Sequence, residues 1–435
     1  MNMRRILSAV CLAALAQTAA ANPFCAQMLT ADGLEKKYQR IAPIYNSTET
    51  GWFFGSDQFD AAYALGDEQQ DLVAQIVTEL ASQGTELAMV VAPPRPVIAG
   101  QATVDATTGT PGLYDVAAQA TSFQTMIAQL GEAGVIAPDL LALATSNEAI
   151  RSTYYFARDT HWTTVGAAQS ALALAAAFDP EAVPLFETEN LPSAETFGER
   201  GSLADIARAT CDADPAKEPT PVYDYTALMP SAGGLLDVTE VEAVLVGTSF
   251  SDRYKRDQYQ AADAMSAALG MSVVNRSVSG GGMIGPFESY VLTGALADEA
   301  PRLLIWEFPA TYDLKATQLR QVLGSLRAAG KPVQSETLAL DGQKVTLPLA
   351  LGDDLIGIAP GTGGLFKINM KLRQADGTVT KLRLDRKRRM AEIAELETWW
   401  IDLSGFELEG ARLEIDMKGA KDAVTVDVLK LSSQS

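Results

Sequence analysis

Ala243-Val244-Leu245-Val246-Gly247-Thr248-Ser249-Phe250-Ser251 runs apolar for four residues and then breaks at a glycine. The run reads as a buried strand, and Ser249 falls at its C-terminal edge, where open α/β sheets place their ligands. Similar apolar runs occur at Leu87 to Ala92, Gly134 to Ala137, Ser272 to Asn275 and Leu303 to Phe308. Between them lie helical stretches at Asp67 to Ser82, Ser122 to Ala133, Gly166 to Phe178, Tyr259 to Leu269, Phe287 to Ala297 and Leu319 to Ala329. In the first of these, Leu72, Val73, Ile76, Val77 and Leu80 form one stripe at helical spacing. Short apolar strands alternating with helices predict an α/β fold, a parallel sheet flanked by helices on both faces. Residues 22–60 read as irregular, with Gly51-Trp52-Phe53-Phe54 as an aromatic turn or short strand.

After Gly330 the period changes. Short alternating segments appear at Lys344 to Leu349, Leu365 to Leu372, Val379 to Leu384, Glu397 to Leu403, Ala411 to Met417 and Ala423 to Leu431, punctuated by Gly and Asp. This predicts a separate antiparallel β-sandwich. The expected organisation is a signal peptide over 1–21, an α/β domain over 22–330 and the sandwich over 331–435. The signal rests on Arg4 and Arg5, the apolar stretch Ile6 to Ala16 and the small residues Ala19-Ala20-Ala21. The apolar stretch is short for a membrane anchor, so export with cleavage and a soluble mature chain are expected.

Removal of that segment would leave Cys25 and Cys211. In an oxidising compartment the two predict one disulfide, with a pair of free thiols as the alternative. The formal charge of −20 would become −22 on loss of Arg4 and Arg5. Such acidity argues against general nucleic-acid binding.

The chain has one histidine, His161, in Arg158-Asp159-Thr160-His161-Trp162. A serine hydroxyl needs a base to take its proton, and the base needs a carboxylate to hold its tautomer. Ser249, His161 and Asp159 supply the three parts. Each motif alone is weak: Asp-x-His is commonly a surface loop, and Gly-x-Ser after a strand is frequent. A third element strengthens the set. Asn275-Arg276-Ser277-Val278-Ser279-Gly280-Gly281-Gly282 follows the next strand and can aim backbone amides at a substrate oxygen, with Gly280 N–H as the expected oxyanion donor. A plain flexible turn is the alternative there. No metal or cofactor is expected, because one histidine and no phosphate-binding loop are available.

Gly247-Thr248-Ser249 resembles the Gly-Asp-Ser block of SGNH hydrolases, and Ser277-Val278-Ser279-Gly280 is similar to their oxyanion block. The Asp-x-His element comes first rather than last, as in a circular permutation. With Gly51-Trp52-Phe53-Phe54, Ile305-Trp306-Glu307 and the appended β domain, the chain resembles the alginate O-acetyltransferase family of AlgX and AlgJ, and most the AlgX-type members. The resemblance implies Ser249 as acetyl-accepting nucleophile, His161 as base and Asp159 as its orienter. It also implies a β-sandwich carbohydrate-binding module, an alginate-like polysaccharide as substrate, periplasmic location, other exopolysaccharide biosynthesis proteins as partners, and an MBOAT-type membrane partner that delivers acetyl groups. Two departures stand out. Trp306-Glu307-Phe308-Pro309 carries no Asn where the third SGNH block supplies an oxyanion donor. Ser251 is a rival hydroxyl near Ser249.

In the sandwich, Lys367, Lys371 and Arg373 share strand parity, as do Lys381 and Arg383, and can present cations to uronate carboxylates. Trp399 and Trp400 are expected either to stack on sugar rings or to pack a core. Two rival functions use the same features. A polysaccharide acetylesterase differs only in taking water as acceptor, and a non-catalytic polysaccharide-binding scaffold makes no use of Ser249.

Overall fold

The computed structural model describes residues 22–59, 62–229, 241–361, 365–391, 396–420 and 423–431. The expected signal peptide, 1–21, lies outside the described residues. Strands β1 (Ile44–Asn46) and β2 (Phe53–Gly55) pair antiparallel around the Gly51–Phe54 segment. They are followed by β3 (Glu86–Ala92), β4 (Ser193–Glu199), β5 (Glu218–Tyr223), β6 (Ala243–Val246), β7 (Val273–Asn275) and β8 (Leu303–Pro309).

The central sheet is parallel, in the order β3-β8-β6-β7. Leu245 stands opposite Asn275 on one side and Ile305 on the other. Strand β6 is buried along its whole length and β8 up to Pro309, as their apolar sequences require. Parallel pairing brings the ends of β3, β6, β7 and β8 to one edge. Gly247, Arg276 and Pro309 therefore emerge side by side. Helices 164–178 and 261–269 pack together, as do 67–81, 284–292 and 316–328, so the sheet is flanked by two helical layers.

Among the segments that differ from the sequence expectation, three lie in the α/β half beside the central sheet. Residues 134–137 make only a bridge to β3, through Ile136 and Ala88, not a strand. The helix expected over 287–297 divides at Gly294, whose φ of +85° turns the chain between Ile284–Leu292 and Ala295–Glu299. The antiparallel pair β4–β5 was not foreseen, because Pro219 and Pro221 make β5 read as a loop.

From Val333 the chain is antiparallel: β9 (Val333–Ala339), β10 (Lys344–Pro348), β11 (Leu355–Ala359), β12 (Lys367–Arg373), β13 (Val379–Asp385), β14 (Trp399–Asp402), β15 (Arg412–Asp416) and β16 (Thr425–Leu431). They form two sheets, β10-β15-β12-β13 and β14-β11-β16-β9. Ile368, Met370, Leu372, Leu382, Leu384 and Leu413 from the first pack with Ile356, Ile358, Ile401 and Val428 from the second. Period-2 alternation puts these side chains inward and leaves the charged ones outward. The second sheet is covered on its other side too. Trp400 and Leu355 pack with Ala328 of helix 316–328, and a Cβ at Gly324 would lie 2.8 Å from the Ile401 carbonyl carbon. Among the described residues no helix is long and apolar enough to cross a membrane.

Cys25 and Cys211 form a disulfide across 186 positions of sequence. Around it, Met28, Leu34, Ile44 and Phe53 pack against Leu203 and Ile206 of helix Ser202–Cys211. Replacing both cysteines by serine should cost about 2–5 kcal/mol of unfolding free energy. Urea melts of the oxidised protein check this, and unchanged midpoints would remove the bridge from the stability account.

Candidate active site

Ser249 lies in the turn after β6. The glycine before it is required by space: a Cβ at Gly247 would meet Glu307 Oε2 at 2.5 Å and Glu307 Cβ at 3.0 Å. Glu307, buried at the end of β8, organises this turn. Its carboxylate accepts from Thr248 N at 2.8 Å, Thr248 Oγ1 at 2.9 Å and Ser251 Oγ at 3.0 Å. The Ser251 hydroxyl is thereby buried and bonded away from the cleft. Ser249 is half-buried and lines the cleft.

His161 reaches it from the loop between Tyr155 and Trp162, which are joined by an antiparallel bridge. Its Nε2 lies 2.7 Å from Ser249 Oγ. Its Nδ1 contacts Asp159 Oδ1, which also accepts the His161 backbone N–H at 2.9 Å. The ring packs between Phe250, with centroids 4.8 Å apart, and Tyr259, at 5.5 Å. Trp162 donates its indole N–H to Phe250 O at 3.0 Å and so ties the histidine loop to the serine turn.

Asp159 is fully buried. Its Oδ2 accepts from Ser202 N and from Arg253 Nη2, the latter at 3.3 Å. Burial alone would push this carboxyl up. The His161 ring, the Arg253 guanidinium and the Ser202 amide outweigh burial and hold it well below the usual carboxylate range. Arg253 also donates to Glu199 at 3.1 Å, and Glu199 accepts Tyr259 O–H at 2.8 Å and Gly201 N–H at 3.0 Å. The loop is held from its other side by Arg95, which donates to Phe156 O and Ala157 O at 2.9 Å. Glu218 accepts the Ala157 and Arg158 amides at 2.7 and 2.9 Å.

The loop after β7 forms a third wall. Val278 N donates to Gly247 O at 3.1 Å, and Ser279 N donates to Asp252 Oδ2 at 2.6 Å. Gly280 and Gly282 take φ of +77° and +71°, which favours glycine. Gly281 and Gly282 line the cleft, and Gly280 is exposed one residue earlier. The Asn275 side chain is engaged with Ser251 O at 2.8 Å and with Ser277 N at 3.0 Å. The cleft measures about 720 Å³ and is shared by both halves of the chain: Ser249, His161 and Thr160 face Arg383, Asp385 and Lys387 across it.

On the sandwich, Lys367, Lys371, Arg373, Lys381 and Arg383 all project from the outer face of β12 and β13. Lys371 stands directly opposite Lys381. Arg373 pairs with Glu414, and Arg383 pairs with Asp385 at 2.6 Å. A groove of about 380 Å³ runs over this face between Lys344, Lys371, Lys381, Arg383, Glu414 and Asp416. Arg383 borders both the groove and the main cleft. Trp399 and Trp400 correct the expectation of sugar stacking. Trp399 is 2% exposed, in the sandwich core beneath the Arg386 guanidinium at 4.1 Å. Trp400 is 5% exposed, against Ala328 and Leu355. Neither ring is presented to a ligand.

Sequence reading missed Arg253, Glu199, Ser202, Glu218 and Arg95, each far in sequence from what it supports. A signal did exist for Glu307, a carboxylate inside an apolar strand run.

Residues 47–310 match the family described as SGNH hydrolase-like domain, acetyltransferase AlgX. The alginate biosynthesis protein AlgX of Azotobacter vinelandii is 25% identical over 344 residues, covering 77% of this chain and 67% of that protein. The probable alginate O-acetylase AlgJ of Pseudomonas syringae pv. tomato is 27% identical over 274 residues, covering 60% of this chain and 67% of that protein. A solved structure of Pseudomonas aeruginosa AlgX superposes with a TM-score of 0.66 at 19% identity, over 94% of this chain and 99% of that one, a likeness of fold.

Burial raises the Glu307 pKa from 4.5 to about 7, against the hydrogen bonds from Thr248 and Ser251. Folding raises this pKa, so the unfolded chain gives up its proton first. The contribution is fully present below about 4.5 and is lost as pH rises through about 7. The shift corresponds to about 3 kcal/mol. Urea unfolding across this window should show a flatter pH dependence for Glu307→Gln than for the parent, and identical slopes would refute the assignment.

Proposed function

This chain belongs to the SGNH hydrolase-like AlgX acetyltransferase family, and on that premise we propose that it acetylates hydroxyls of an exopolysaccharide, alginate or an alginate-like polymer, through Ser249. The observation that carries the reading is the contact of His161 Nε2 with Ser249 Oγ at 2.7 Å in a cleft shared with the sandwich. In this reading Ser249 Oγ attacks the acetyl carbonyl of a donor while His161 Nε2 takes the hydroxyl proton. The tetrahedral intermediate collapses to acetyl-Ser249, and the donor's leaving group departs with that proton. A sugar hydroxyl then attacks the acetyl carbon, giving its proton to His161. Ser249 leaves and recovers the proton from the imidazole. Asp159 holds Nδ1 and steadies the imidazolium in both halves. Gly281 N–H is engaged with Val278 O at 2.8 Å, so the Gly280 and Gly282 amides of this loop serve the developing oxyanion.

The same reading divides the chain into a signal peptide over 1–21, an acetyltransferase domain over 22–330 and a carbohydrate-binding domain over 331–435. It places the protein in the periplasm, with acetyl groups supplied by an MBOAT-type membrane partner and other exopolysaccharide biosynthesis proteins acting alongside. Lys367, Lys371, Arg373, Lys381 and Arg383 bind the polymer. The gathering of these five cations on the outer face of β12 and β13 supports this. Arg383, at the border of groove and cleft, marks the path from one to the other.

Incubation with an acetyl ester and mannuronate oligosaccharides, read by mass spectrometry, should give acetylated oligosaccharide. Free acetate as the only product would replace the transferase with an esterase. Ser249→Ala should abolish transfer, and Asp159→Asn should lower kcat on the order of 10³- to 10⁴-fold. Unchanged polymer acetylation by Ser249→Ala would leave only a scaffold role. Lys371→Glu combined with Lys381→Glu should weaken polymer binding and flatten its dependence on salt, measured by titration at two ionic strengths.

A further inference from the structure

The turn 385–390 of the sandwich reaches across and packs on the glycine loop. Met390 is fully buried there. A Cβ at Gly281 would lie 3.0 Å from Met390 Sδ, and one at Gly285 would collide with Met390 Cγ. A Cβ at Gly282 would lie 3.1 Å from Lys387 Cγ. These glycines thus seat the sandwich as well as turning the chain. The turn itself is anchored on both sides. Arg386 N donates to Phe366 O of the sandwich at 2.9 Å. Its buried guanidinium makes a bidentate pair with Glu288 of helix 284–292, at 2.8 and 2.6 Å, and also donates to Thr398 O at 2.7 Å. Gln321 of helix 316–328 accepts Asp385 N–H at 3.1 Å.

We infer that the sandwich is a working part of the catalytic centre, with Met390 as the positioning residue that sets the 280–285 loop opposite Ser249. The physical reason is entropic. A run of three glycines has more backbone states than any other tripeptide, and its amides can stabilise an oxyanion only from one geometry. Val278 and Ser279 are held by Gly247 and Asp252 on the serine side. Over Gly281 the space is shared between Val278 and Met390, and over Gly285 Met390 alone supplies the nearest atoms. The sandwich then matters for the chemical step itself, including on a substrate that carries no sugar.

The inference rests on the Ser249 reading, and p-nitrophenyl acetate with the full-length protein separates the two. Met390→Ala, though it lowers the melting temperature as a buried truncation does, should lower kcat about 10- to 100-fold at a temperature where it stays folded with KM little changed, because donors displaced by a fraction of an ångström lose transition-state contact but not ground-state binding. Met390→Leu, close in volume, should restore kcat to within a few-fold. Arg386→Lys, which keeps the charge and loses the bidentate pair, provides a second route should Met390→Ala fail to fold, and it should lower kcat in the same sense. Full kcat on the small ester in these variants, with only polymer binding weakened, would overturn the inference and leave Ser249 as nucleophile. Nitrophenolate release absent from the parent protein, or surviving Ser249→Ala, would remove the Ser249 reading and the inference with it.

Discussion

The Asp159 carboxylate is the constraint on which the site depends. One oxygen is committed to His161 through both its ring and its amide, and the other to Ser202 and Arg253. A buried carboxylate is tolerated only when such partners replace water. Those partners come from three segments, so satisfying one charge draws together the histidine loop, the start of helix 202–211 and the segment after Ser249. Helix 202–211 is itself tethered through Cys211 to Cys25. Position of the imidazole is therefore a property of the fold, not of the loop that carries it.

A second buried carboxylate, Glu307, does the complementary task for Ser249. It takes the Thr248 and Ser251 donors and leaves Ser249 as the hydroxyl that faces His161. The absence of an Asn at the corresponding block is explained by this role. A carboxylate there shapes the turn from beneath, and Gly247 is the residue whose missing side chain lets it approach.

The two halves of the chain share helix 316–328 as a common layer. Arg320 donates to Asp402 O and Ser404 O, at 3.2 and 2.9 Å, and Arg327 bridges Glu79 and Asp402. With Gly324 against Ile401 and Trp400 against Ala328, the second sheet of the sandwich packs directly on this helix. Such packing sets the distance from the cationic groove to Ser249 and makes Arg383 a border residue rather than a remote one.

The strands of the parallel sheet were legible because burial on both faces demands uninterrupted apolar residues, as in Ala243–Val246 and Leu303–Phe308. The sandwich was legible from alternation, and Ser249, His161 and Asp159 as candidates from chemistry, there being one histidine and a serine at a strand edge. Edge strand β9, almost wholly exposed, and proline-bearing β5 lack that apolar signature and were not. The sequence by itself determined which residue types were available and the period of each element, since both are local properties. Only the tertiary structure decided that Trp399 and Trp400 are core, that Arg253 and Ser202 complete the Asp159 shell, and that Met390 meets Gly281. These contacts join positions dozens to hundreds of residues apart, and long-range packing leaves no periodic trace in the chain.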